Sequence, residues 1–137
     1  MVDSHVILAR IDKIRESVAK LRQFTNQPEE AFICDSLVTD SAERNLQIAV
    51  QAVIDIGNHI VADMDLGAPK DYKDIFRLLA ENKIVAESLS RKLISMTGLR
   101  NVLVHEYLEI DLHLIYEIIK NDLDDFDQFI AGVLKLV

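Results

Sequence analysis

Within the eight residues RNVLVHEY, positions 100 to 107, Arg100, Asn101, His105 and Tyr107 surround three consecutive apolar side chains. A histidine titrates near neutral pH and serves as general acid or base. An arginine holds a phosphate through parallel N–H groups and stabilises charge developing on phosphorus. RNA carries its own nucleophile, the 2'-hydroxyl, and base-assisted attack of that group on the adjacent phosphate needs no metal. One arginine and one histidine are therefore a sufficient minimum for RNA cleavage. Spacing alone favours a blander account: a surface arginine, a histidine hydrogen-bonded to a neighbour, and Tyr107 as a core or interface aromatic at a helix end.

Geometry sharpens the choice. At about 100° per residue on an ideal helix, Val85, Leu89, Leu93, Met96 and Leu103 share one face, with Arg100 and Tyr107 close to it. His105 groups instead with Ile94, Gly98 and Asn101, so Arg100 and His105 diverge by roughly 140°. They converge if the helix is distorted near Gly98 or frays before Tyr107, if the arginine curls around the helix, or if a second copy of the chain supplies the missing half. The last is economical, because a two-fold axis beside this helix gathers two arginines and two histidines in one cleft, and Gly98 permits close approach.

The elements that must position these residues are helical. The 137 residues suit a single domain, 1–137, and half of them are hydrophobic, with only four Gly and two Pro. Ile7, Ile11, Ile14, Val18 and Leu21 recur at helical spacing across residues 4 to 24. Pro28, Glu29 and Glu30 suit the first turn of a short second helix to about Leu37. Asp40 and Glu43 stand at capping-box spacing before a long, largely buried helix through Leu46, Val50, Val53 and Ile60. Asp71 can cap a short helix to about Asn82, another runs from Val85 to about Glu106, and a last one carries Leu114 to Leu134. Period-two alternation is absent, which predicts an all-α, up-and-down bundle of about four long helices and one or two short ones.

Composition removes several functions. A net charge of −8 argues against a general nucleic-acid coat and against DNA binding, so any RNA contact is local. The N-terminus lacks the features of a signal peptide and no run is long enough to span a membrane. The single Cys34, preceded by the apolar Phe32 and Ile33, is expected as a buried thiol in a reducing cytoplasm. Asp55 and His59 have the spacing of a metal-ligand or i,i+4 pair but lack a third partner, and His5 and His113 read as structural or solvated. The acidic run of Asp122, Asp124, Asp125 and Asp127 lacks the glycine and glutamate of a calcium loop and reads as a solvated face. Arg91 and Lys92 form a basic concentration that Arg44 can join. No phosphate loop, metal site or cofactor motif is expected.

RNVLVHEY resembles the Rx4-6H motif of the HEPN superfamily, in the RxxxxHxY form of HepT-like toxins from HepT/MntA (HEPN/MNT, type VII) toxin–antitoxin systems. ERNLQIAVQAVIDIGNHI is similar to that family's second long helix, and YKDIFRLLAENKIVAESLSRKLISMTGLRNVLVHEY to the approach to its motif. The resemblance implies a homodimer with a metal-independent ribonuclease site where two motif helices meet. Arg100 and His105 would be the catalytic pair, with Asn101 orienting His105. It also implies a partner, a minimal nucleotidyltransferase antitoxin that transfers AMP from ATP to Tyr107. Two alternatives stay open: a non-catalytic helical module presenting substrate or nucleotide to a separate nucleotidyltransferase, and a motif that is only a dimer seam.

Overall fold

A computed structural model describes residues 2–104 and 110–137, with side chains described for 2–100 and 110–137. Seven α-helices lie among them: α1 (Ser4–Phe24), α2 (Glu29–Cys34), α3 (Ser36–Asp63), α4 (Tyr72–Glu81), α5 (Glu87–Val104), α6 (Leu112–Asn121) and α7 (Asp124–Leu134). The architecture is all-α, as the apolar periodicity predicts, with α1, α3 and α5 long and the rest short. No described helix is long and apolar enough to cross a membrane.

The long pair α1 and α3 forms the spine. Ile7, Ile11, Ile14, Val18 and Leu21 of α1 are buried against Leu46, Val50, Val53 and Ile60 of α3, and the small Ala42, Ala49 and Ala52 let the helices lie close. Aspartates start four helices. Asp3, Asp35, Asp71 and Asp111 each accept a backbone N–H from the first turn that follows, an interaction whose loss costs about 1 kcal/mol apiece.

Helices α4 and α5 carry the motif region against this spine. At Gly57 of α3 a Cβ would meet Ile75 Cγ2 of α4 at 2.7 Å, so α4 approaches as closely as it does only because position 57 is glycine. The buried Ser90 hydroxyl then donates to the Phe76 carbonyl at 2.9 Å, pinning α5 to α4. Val85, Leu89, Leu93 and Met96 are buried, the face expected for this helix.

Three local expectations change. Helix α2 stops at Cys34 because Asp35 turns extended and caps α3, which therefore begins at Ser36. Asp40 and Glu43 lie inside α3 and form no capping box. The two like charges a turn apart, added to burial, push the Glu43 carboxyl above its usual range, burial being the larger cause. Cys34 is exposed, since α2 has little more than one turn and turns Phe32 inward on its opposite side.

The expected last helix is two. Asp122 ends α6, and α7 restarts at Asp124 with three aspartates in its first turn, where the helix dipole favours them. The acidic run is thus not a plain solvated face. Arg22 of α1 bridges Asp124 at 3.2 Å and Asp127 at 2.6 Å, while Asp125, only 4% exposed, pairs with Lys92 of α5 at 3.5 Å. These contacts clamp α7 to α1 and α5. Gly132 completes the fit, because a Cβ there would stand 2.6 Å from the Ile84 carbonyl oxygen.

Candidate active site

Arg100 lies in the penultimate turn of α5, half-buried, and reaches toward α3 and α4. Its Nε donates to Gln51 Oε1 of α3. Its guanidinium carbon stands 5.4 Å from the centre of the Tyr72 ring at the start of α4, a cation–π contact of about 0.5–2 kcal/mol. Gln51 in turn donates through Nε2 to Asp55 Oδ1 at 2.9 Å, and Asp55 Oδ2 lies 3.9 Å from Arg10 Nε of α1. The Gln51 amide has one sensible orientation, because its oxygen faces a cation and its nitrogen an anion. Arg100 is therefore oriented from two sides, with NH1 and NH2 not consumed by the bond at Nε.

Helix α5 is continuous through Gly98 to Val104, so no break at Gly98 turns Arg100 around the axis. Among the described residues an added Cβ at Gly98 would meet nothing within 4 Å. His105 and Tyr107 lie outside the described residues, as does the side chain of Asn101.

The expected basic concentration is distributed differently. Arg91 faces Glu87 at 3.9 Å and Lys92 faces Asp125, so neither extends the surroundings of Arg100. Arg44 instead joins Arg10 and Lys13 along a groove of about 230 Å³ between α1 and α3 whose lining includes Gln47, Gln51 and Asp55. Tyr72, Gln51 and this groove escaped the sequence reading. Gln51 sits within a stretch already singled out for its resemblance, but nothing in its spacing linked it to Arg100, 49 positions away.

Asp55, His59 and His113 find structural partners. Asp55 engages Gln51 and Arg10, and His59 pairs with Asp63 at 3.3 Å, so the Asp55/His59 spacing is not used as a pair. His113 Nδ1 contacts Glu29, which joins α6 to α2 and raises the imidazole pKa, the hydrogen bond being the larger cause and the carboxylate charge the next. Glu117 stands with them, the three ligand atoms within 4.8 Å of one another. On the surface such a trio is adequately explained as an ion-pair cluster holding two short helices together.

Comparison with known proteins places this geometry. The family model described as ribonuclease HepT-like matches residues 14–133. The chain is similar to the mRNA nuclease HepT of Shewanella oneidensis, 37% identical over 125 residues that cover 91% of this chain and 93% of the relative. It is similar to the tRNA nuclease HepT of Aphanizomenon flos-aquae at 27% identity over 132 residues, 96% of this chain and 90% of the relative. Its fold matches a rebuilt and re-refined structure of a tri-AMPylated Shewanella oneidensis HEPN toxin in complex with an MNT antitoxin, with TM-score 0.87, 36% identity and coverage of 100% of both chains. Family model and relatives agree across nearly the whole length: the chain belongs to the HepT-like ribonuclease family.

Proposed function

We propose that this chain is the ribonuclease toxin of a toxin–antitoxin pair and cleaves RNA without a metal at a cleft shared by two copies. Arg100 holds the scissile phosphate and His105 performs the proton transfers. The observation that carries the reading is the anchoring of Arg100 by Gln51 and Tyr72, which fixes a cation at one place instead of leaving it to sweep through solvent.

The chemistry balances with these groups alone. His105 removes the 2'-hydroxyl proton, the oxygen attacks phosphorus, and the phosphorus–O5' bond breaks. The departing O5' takes up a proton from an imidazolium, and the products are a cyclic phosphate and a 5'-hydroxyl end. Arg100 counters the charge that gathers on the equatorial oxygens. Asn101 orients His105.

Two features support assembly of the site from two copies. Arg100 is held on its own chain toward α3 and α4, while an ideal continuation of α5 would carry position 105 roughly 140° around the axis. The side of α5 at Gly98 also leaves room for a second helix, and an adjoining groove of about 310 Å³ lined by Met96, Leu99, Leu114 and Ile118 offers the exposed Leu114 and the partly exposed Leu99 for burial.

The cognate partner is a minimal nucleotidyltransferase antitoxin. The phenol oxygen of Tyr107 displaces pyrophosphate from the α-phosphorus of ATP, leaving an adenylyl group two residues from His105. Its bulk and negative charge then exclude RNA from the cleft. The AMPylated state of the Shewanella relative in its antitoxin complex supports this control.

The test is cleavage of RNA by the purified protein in chelator, alongside Arg100→Ala and His105→Ala. Cleavage by the parent and loss in both variants is expected; retained cleavage in both variants would sink the assignment.

A further inference from the structure

The groove between α1 and α3 runs from the glutamine that orients Arg100. Arg44 and Gln51 are seven positions apart on α3, about 10 Å along its axis, and Arg10 and Lys13 line the facing turn of α1. Among the described residues, three cations and one carboxylate, Asp55, lie along it, in a chain whose net charge is −8. Asp55 is engaged by Gln51 and Arg10. Among the described residues neither Lys13 nor Arg44 has a carboxylate within ion-pair distance, so both are free of a competing anion.

A local cationic track in an acidic protein is shaped for a polyanion, and among the described residues its lining has no aromatic ring on which a base could stack. Contacts of that kind fix the register of a strand without reading its sequence. We propose that this groove holds the phosphate backbone of the RNA flanking the scissile position. Lys13, Arg10 and Arg44 are its phosphate-holding groups, and Gln51 is the junction with Arg100. The inference rests on the reading of Arg100 as the group on the scissile phosphate.

The groove cations then deliver the strand to the cleft, and single-stranded RNA of mixed sequence is the matching substrate class. Their removal weakens binding of every sequence alike and flattens its dependence on salt.

The experiment uses the full chain as purified, a cleavable single-stranded RNA oligonucleotide, and the same oligonucleotide made resistant by 2'-O-methylation. Lys13→Gln/Arg44→Gln removes two exposed charges, and Lys135→Gln at the end of α7 controls for charge loss elsewhere. Thermal melting confirms that both variants remain folded. Expected for the double variant are a KM and a Kd for the resistant RNA raised about tenfold, kcat within about twofold, and a log–log salt slope shallower by about 1.4. The control stays at parent values. Unchanged Kd and salt slope in the double variant, with the parent still cleaving, overturn the groove alone. If those values are unchanged but the antitoxin no longer binds, the groove belongs to the protein partner and the inference is wrong. A parent protein that cleaves no RNA overturns the reading of Arg100, and the resistant oligonucleotide still reports whether the groove takes up RNA.

Discussion

The guanidinium of Arg100 in α5 stands 5.4 Å from the centre of the Tyr72 ring in α4, and the fold brings them together through a glycine. Without a Cβ at Gly57, α4 settles onto α3, and Ser90 then ties α5 to α4. The motif arginine is thus oriented by packing decisions made far from the motif.

Tyr72 and Gln51 are accordingly positioning residues. Tyr72→Leu and Gln51→Ala are each expected to lower kcat for RNA cleavage about tenfold, through a loosened Arg100. Tyr72→Phe, which keeps the ring face, stays near the parent rate. A Tyr72→Phe variant as impaired as Tyr72→Leu would contradict the ring–cation account.

Gly98 separates fold from assembly. A Cβ at this position meets nothing within 4 Å among the described residues of one chain, so Gly98→Leu is expected to melt at or slightly above the parent temperature. Sedimentation should nevertheless show weaker self-association, with RNA cleavage falling in parallel. A fully dimeric and active Gly98→Leu protein would place the interface elsewhere.

Lys92 protects a buried carboxylate. Asp125 is 4% exposed, and Lys92→Ala leaves it without its cation, costing about 1–3 kcal/mol in urea unfolding. Adding Asp125→Asn should return part of that loss, because the uncompensated charge has gone.

Glu43 supplies a pH signature. Its folded pKa is raised, by burial first and Asp40 second. Ionised Glu43 therefore costs stability at pH values above both the folded and unfolded pKa, and the cost vanishes as pH falls below both. Glu43→Gln is expected to gain about 0.5 kcal/mol at pH 7 and nothing at strongly acid pH, which thermal melts across pH check directly.

What could be read in advance followed from period. Ile7 to Leu21 and Leu46 to Ile60 form their stripes because burial selects every third or fourth residue, and these stripes define α1 and α3. The division of α6 from α7 left no such trace: Asp122 ends a helix without a glycine or proline, and Arg22 and Lys92, which add to the helix dipole in making the acidic first turn of α7 favourable, are distant in sequence. Cys34 misled because apolar neighbours in sequence face opposite ways on so short a helix. At the candidate site the motif was visible through resemblance to a family, whereas Gln51, Tyr72 and the Arg10–Lys13–Arg44 groove arise from helix packing and have no local signature.

The central claim is that one chain's Arg100 works with another chain's His105. Its most direct measurement mixes Arg100→Ala and His105→Ala proteins, each inactive alone, and follows RNA cleavage in chelator after subunits exchange. A site shared across a two-fold axis leaves one intact pair in each mixed dimer, so an equal mixture should recover about a quarter of parent activity. No recovery, with subunit exchange confirmed by mass, would contradict the shared site.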